Sequence, residues 1–499
     1  MKEHLINLSE AETNPALAAA YLAENIGSSD GHAEAMREMV LHFAARGEVD
    51  LAAEFADTIK DNFERDNLLV RIAEKCADGG DDEYAFQLAE AIEDFGLQQA
   101  ARQRIAFQKA VRGEFSEALK ITNELSHPDD ALAAIAVRQM LNENEAEARQ
   151  TLSRIEYPAA KVQALQTIAG HFYAENKPEK AGEFLAEAFK EIRDIELPEE
   201  KIRTLLAVAG QYIEAARFDK AIEVLGKARS ETEVLDSSHR EGFLSVASLD
   251  FLRAGSLDLA DRTLDLIADK TQIAATLAGF AAEFARQSET SDALDALEEA
   301  YAILKSQKDR EVRDSRLRFN LLGVIAARFA AFEKNERALE IALENPSEDE
   351  RNNALAQIAV ICANQGNDEA ARSAVSAIED ENTRAIALLS VSDAETSTDE
   401  NEKAANFLNE ATSLVKNIQQ PSARSQALNE IAERFFKAGD AEKSRLAAAE
   451  SLQAVKQITD ESLRAVALLR LAEVFEICKF ELNDAERQTI STLIRKAEW

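Results

Sequence analysis

A small residue recurs along this chain, and a second small residue follows it at a fixed distance. The first set, taken as anchors, is Val40, Ala73, Ala106, Ala136, Ala169, Ala209, Ser248, Ala281, Ala326, Ala359, Ser392, Ala432 and Ala472. Twelve residues after each of the first twelve stands another: Ala52, Ala85, Ala118, Ala148, Ala181, Ala221, Ala260, Ala293, Ala338, Ala371, Ala404 and Ser444. Two antiparallel helices approach closely only where small side chains face each other, so each pair marks one helix–turn–helix unit. The anchors are spaced by 33, 33, 30, 33, 40, 39, 33, 45, 33, 33, 40 and 40 residues. Such a period predicts a stacked array in which each unit buries its apolar face on its neighbours. A single core is excluded in any case, because 499 residues exceed what one core accommodates. With only 17 Gly and 7 Pro, the composition points to helices and away from sandwiches and barrels.

The apolar pattern around each anchor has helical period. Leu stands four residues before it in eleven units, from Leu69 to Leu468, and Ile or Val usually stands one before. Three residues after the anchor, ten units carry an aromatic or Cys, including Phe43, Cys76, Phe172, Phe329, Cys362 and Phe475. Gly recurs seven after the anchor at Gly47, Gly80, Gly113, Gly255, Gly366 and Gly439, where a helix end needs a left-handed residue. The two spacing classes predict two lengths of second helix. Short units carry Ile or Leu nineteen after the anchor (Ile59, Ile92, Leu125, Ile155, Ile267, Ile378), whereas long units mostly carry Ala (Ala188, Ala228, Ala300, Ala411). Pro158 and Pro128 follow their anchors by 22 residues, and Pro198 and Pro421 by 29. That difference of about two helical turns predicts longer second helices, each stopped by its proline. Residues 300–319 should carry the longest extension.

This pattern resembles the tetratricopeptide repeat, a helix–turn–helix unit with Leu-small, aromatic and Ala residues at these offsets. It departs from that family's consensus in having Leu for the first Trp, a 33-residue unit in place of 34, and five spacings of 39 or more. The resemblance implies an all-α, right-handed α-solenoid of about 13 units over residues 1–499. Residues 1–30 are expected to cap the N-terminus, with Ala19 and Ile26 in register as a lone second helix. Residues 31–391 form the main array, and 404–499 hold the last repeats and a final polar helix, since terminal units lack one neighbour. Residues 392–403 are expected to be a weak joint, because Glu395 replaces the aromatic and a polar run follows.

The resemblance also implies a concave groove lined by first helices, at positions −6, −3, +1, +4 and +5 from each anchor. Over the eight units from Ala106 to Ala359 only five of forty such residues are charged: Asp130, Arg203, Glu214, Arg253 and Arg286. At the chain's 30% charge, twelve would be expected. The candidate partner-binding residues are Phe107, Met140, Tyr173, Gly210, Ile213, Leu249, Ala282 and Ala327. Packing between neighbouring first helices is the alternative reading of the same positions. The family's basic clamp for acidic tails is not matched.

Charge and chemistry narrow the function. Lys plus Arg is 57 against 92 Asp plus Glu, a net charge of −35, so nucleic acid and anionic membrane would repel the chain. No apolar run is long enough for a membrane span or a signal-peptide core. Cys76, Cys362 and Cys478 are far apart and odd in number, which suits a reducing cytoplasm. The six His form no HxxxH, and no CxxC, GxGxxG or Walker pattern occurs, so no metal, cofactor or catalytic site is expected. The acidic residues read as a solvated face. The expectation is a non-catalytic scaffold that binds a peptide or helix of a protein partner in the groove. The alternative is a self-assembling protein forming a homo-oligomer or filament.

Overall fold

The structure, a computed structural model, describes residues 4–307, 315–397 and 401–497. Among these residues the regular structure is helical, with no strand. Two short helices come first, α1 (Leu8–Ala11) and α2 (Pro15–Glu24). Hairpins then follow in chain order. The first three are α3 (Ser29–Ala45) with α4 (Val49–Asp57), α5 (Asn62–Asp78) with α6 (Asp82–Ala91), and α7 (Phe95–Val111) with α8 (Phe115–Thr122). The next three are α9 (Asp129–Leu141) with α10 (Glu145–Leu152), α11 (Pro158–Ala174) with α12 (Pro178–Glu191), and α13 (Pro198–Glu214) with α14 (Phe218–Glu231). Then come α15 (Ser237–Arg253) with α16 (Leu257–Leu264), α17 (Lys270–Arg286) with α18 (Thr290–Ser306), and α19 (Ser315–Ala331) with α20 (Asn335–Leu343). The last are α21 (Glu348–Asn364) with α22 (Asp368–Ser376), α23 (Glu381–Ser397) with α24 (Asn401–Val415), and α25 (Pro421–Lys437) with α26 (Ala441–Val455). The chain ends in α27 (Glu461–Ile477) and α28 (Asp484–Ala497).

The anchor register holds throughout. Every anchor and every small residue twelve beyond it is buried, most of them completely. Where Ser takes one of these places, its hydroxyl donates across the hairpin: Ser248 Oγ to the Ala260 carbonyl at 2.7 Å, Ser444 Oγ to that of Ala432 at 2.7 Å. All eleven Leu at −4 are buried, and so is the +3 aromatic or Cys except Phe284, which is half-buried. The array is thus a helix–turn–helix repeat of the tetratricopeptide-like kind.

The two unit lengths have the anticipated cause. Second helices of short units run 8–10 residues, those of long units 14–17, the longest being α18. Of the extension expected over 300–319, α18 carries it to Ser306, residues 308–314 lie outside the described residues, and 315–319 belong to the next first helix, α19. In short units the buried Ile at +19 plugs the end of the hairpin. In long units Ile195, Ile418 and Ile458 do so at +26, two turns further on. The prolines act differently from expectation. Pro158, Pro198 and Pro421 each open a first helix at its N1 position, several residues after the preceding second helix has ended. Proline's fixed φ suits the first turn, where its missing N–H is no loss.

Other first helices begin instead on Asp. Asp61, Asp94, Asp236, Asp269, Asp380 and Asp460 each accept a backbone N–H from the first turn that follows. Much of the acidity at the inter-unit turns is therefore N-capping.

The chain forms two compact units, Met1–Ala101 with Leu355–Trp499, and Arg102–Ala354. In the first unit the chain's two ends meet, where a separate cap at each end was expected. Helix α2 packs against α27 as a second helix packs on its first. Eight of its ten residues are buried, so it is enclosed on all sides rather than along one stripe. Ala19 and Ile26 take the +12 and +19 places relative to Ala472, both buried. Helix α28 lies across α2. A polar ladder follows the junction: Ser462 Oγ donates to Glu34 at 2.9 Å, Arg470 to Glu38 at 2.6 Å, and His42 meets Glu473 at 3.0 Å. Arg46 pairs with Glu476, and Ser491 and Arg495 both donate to Glu12 at 2.8 Å. In the region of the expected weak joint, Glu395 is buried and Ser392 Oγ donates to the Ala404 carbonyl at 3.0 Å. Residues 398–400 of that run lie outside the described residues.

Candidate functional site

Twelve of the thirteen first helices in the described residues run 17 residues, beginning eleven before the anchor. The exception is α9, with 13 residues, which lacks the first turn. It follows the one 30-residue spacing, so the shortened unit was visible in the sequence as a missing turn. In the second compact unit, α9 forms the floor of a hollow of about 550 Å³. The hollow is lined by Phe107 of α7, by Asp130, Ala133, Ala134, Val137, Arg138 and Leu141 of α9, and by Gln163, Ala164 and Thr167 of α11. The Arg138 guanidinium lies 5.3 Å from the centre of the Phe107 ring, a cation–π contact that holds the ring at the edge of the hollow.

The eight candidate residues divide in two groups. Phe107, Tyr173, Gly210, Ile213, Leu249 and Ala282 are half-buried on the first helices. Met140 and Ala327 are buried at 3% and 8% exposure, and there the packing reading holds. Adjacent first helices are tied by polar contacts on the same flank. Gln211 Nε2 donates to the Gln166 carbonyl at 3.0 Å, and the Ser245 and Thr276 hydroxyls are 2.7 Å apart. Gly279 packs closely on the neighbouring first helix, since a Cβ there would lie 3.3 Å from Leu249 Cδ2. Two polar atoms on the α11–α13 flank, Tyr173 Oη and Gln211 Oε1, are buried without a hydrogen-bond partner in the protein. Burial pushes the Tyr173 hydroxyl pKa up.

Charge on this layer is distributed in a way the sequence positions did not reveal. Arg253 and Arg286 converge on buried Glu283, and Arg253 also pairs with buried Asp250 at 3.1 Å. The hydrogen bond from Arg286 holds Glu283 below the usual carboxylate range, whereas burial raises Asp250 despite Arg253. Arg328 has a buried Nε without a partner, and burial lowers its pKa. A guanidinium stays charged under such a shift.

A second set of carboxylates was also missed. Asp66 accepts the Glu93 and Asp94 N–H groups at 2.9 and 2.8 Å, and Asp129 accepts those of Glu156 and Tyr157 at 3.1 and 3.0 Å. Glu241 accepts the Asp269 N–H at 3.0 Å. All three stand seven before their anchor in 33-residue units, where the turn to the next unit passes the first helix. Long units carry Val162, Ile202, Ala274, Ala385 and Ser425 there, because their extended second helix moves that turn away. A carboxylate at −7 confined to short units was the available signal.

Among the described residues no cluster of His, Cys, Asp and Glu is arranged to hold a metal, and no helix is long and apolar enough to cross a membrane. The three cysteines are buried, and burial pushes the Cys76 thiol up to about 11, the opposite of an activated nucleophile.

No protein-family model and no curated protein matches this chain. Among solved structures it is similar to Ton1535 from Thermococcus onnurineus NA1, at 19% identity over 74% of this chain and 98% of that one, with a TM-score of 0.26. It is also similar to aspartyl phosphate phosphatase F from Bacillus subtilis, at 12% identity over 87% and 96%, with a TM-score of 0.28. The apo quorum sensor NprR from B. thuringiensis gives 14% identity over 72% and 99%, with a TM-score of 0.25. The repeat assignment itself stands on the register and helix geometry described above.

Proposed function

We propose that this chain is a non-catalytic protein-interaction scaffold, and that the first-helix face of its second compact unit takes an apolar polypeptide segment. The observation that carries this reading is the α7–α9–α11 hollow. Its floor is Ala133, Ala134, Val137 and Leu141, in a protein whose surface is otherwise strongly acidic. Apolar side chains of a bound helix or extended segment gain free energy by leaving water there.

Partners captured by the whole protein should be compared with those captured by the double variant Ala134→Glu/Val137→Glu. Both sites are half-buried, so helical content should hold. Charge on the floor must be desolvated by an apolar ligand, and binding should fall by about tenfold or more. A folded double variant that binds its partner unchanged would remove the hollow from consideration.

A further inference from the structure

The thirteenth repeat is divided between the ends of the chain. Its first helix is α27 and its second is α2, and each is joined to its own neighbour by an ordinary inter-unit connection. Ala19 precedes Val40 by 21 residues, as Ala52 precedes Ala73. No loop crosses between the two halves. The join consists of the burial of α2, the packing of α27 on α3, and the polar ladder alone.

We propose that this join also serves between copies, with the α2–α3 end of one chain docking on the α27–α28 end of a second in the same register. Three observations support it. First, the surfaces are complementary in detail. Ala19 and Ile26 on one side meet the register of Ala472 on the other, and Glu34, Glu38 and His42 meet Ser462, Arg470 and Glu473. That fit does not depend on which chain supplies each half. Second, the two surfaces differ from each other, so pairing between chains is head-to-tail and can propagate. Third, the junction is where two acidic molecules can approach. The whole chain has 92 acidic against 57 basic side chains. Across the junction each of the acids Glu12, Glu34, Glu38, Glu473 and Glu476 meets a partner on the other side, in Arg495, Ser462, Arg470, His42 and Arg46 respectively, so the facing acids are not left opposed to one another. Within one chain the high effective concentration of the ends favours closure, so exchange grows with protein concentration.

The test uses full-length chains carrying Glu34→Cys or Ser462→Cys, mixed in equal amounts and treated with a short bis-maleimide. The proposal expects a covalent dimer with one copy of each, rising at least about fivefold on tenfold concentration. Either variant alone should not give it. The double variant Glu34→Cys/Ser462→Cys should link within the chain at low concentration. Internal linking of the double variant, with no mixed dimer at any concentration, overturns the proposal and leaves the join purely intrachain. A charge-swapped pair checks register: Arg470→Glu in the Ser462→Cys chain should cut the mixed dimer, and Glu38→Arg in the Glu34→Cys chain should restore it. Restoration failing would likewise overturn docking in this register.

Discussion

The residue seven after the anchor shows how a backbone requirement can outlast its preferred side chain. All positive-φ residues in the described chain occupy this place. Six are Gly, and the others are Glu143, Asn176, Ala216, Ser288, Glu333 and Lys479, with φ between 53° and 64°. A left-handed residue at a helix C-terminus costs a Cβ-bearing side chain about 1 kcal/mol, which the rest of the unit absorbs. The six Gly revealed the requirement, and the other six positions were silent because the cost is small. Ala216→Gly, at an exposed site, should therefore stabilise the protein by about 0.5–1 kcal/mol in urea unfolding. The buried acceptor Asp66 makes the opposite case. Asp66→Ala leaves two backbone N–H groups without their acceptor and Arg65 with its pair to Glu93, at a cost of about 2–3 kcal/mol. Equal stability of variant and parent would show that the turn at 93–94 finds another acceptor.

At the scale of the element, helix length was legible wherever it was encoded by a displaced plug. Moving the buried Ile from +19 to +26 adds two turns to the second helix and keeps the hairpin end closed, so sequence spacing translates directly into length. The role of proline was less legible. A Pro between helices suits both the end of one and the start of the next, and only the observed ends of α12 and α24 distinguish them. Each hairpin depends on its own aromatic. Phe329 in α19 is 2% exposed, and Phe329→Ala should cost about 3–5 kcal/mol through lost transfer energy and a cavity. Because repeats contact mainly their neighbours, hydrogen exchange should quicken first in α19 and α20. Uniform exchange across the second compact unit would mean that it opens as a whole.

At the scale of the whole molecule, the meeting of the chain ends carries a pH dependence. The hydrogen bond from Arg495 holds Glu12 below its ordinary value of 4.5. Burial raises Glu473, but bonds from His42 and Arg470 outweigh it and leave that carboxyl lowered as well. A depressed folded pKa adds stability that is present above the unfolded value and lost as pH falls through the folded one. Burial raises Glu24, which acts in the opposite sense, so the comparison of variant with parent isolates the ladder. Glu12→Gln/Glu473→Gln should melt below the parent at pH 7, and the gap should close as pH falls below 4.5. A gap independent of pH would assign the effect to packing. What the sequence determined by itself was local: helices, hairpins, their lengths and the buried stripe, all written in offsets of a few residues around each anchor. It even held α2 as a second helix without a first, through Ala19 and Ile26. Only the tertiary structure decided that α27, some 440 residues away, is its partner, and which first-helix positions are buried and which are half-exposed. A repeat presents the same apolar register to any neighbour, so its pattern says what a helix can pair with and leaves the choice of partner to the geometry of the assembled chain.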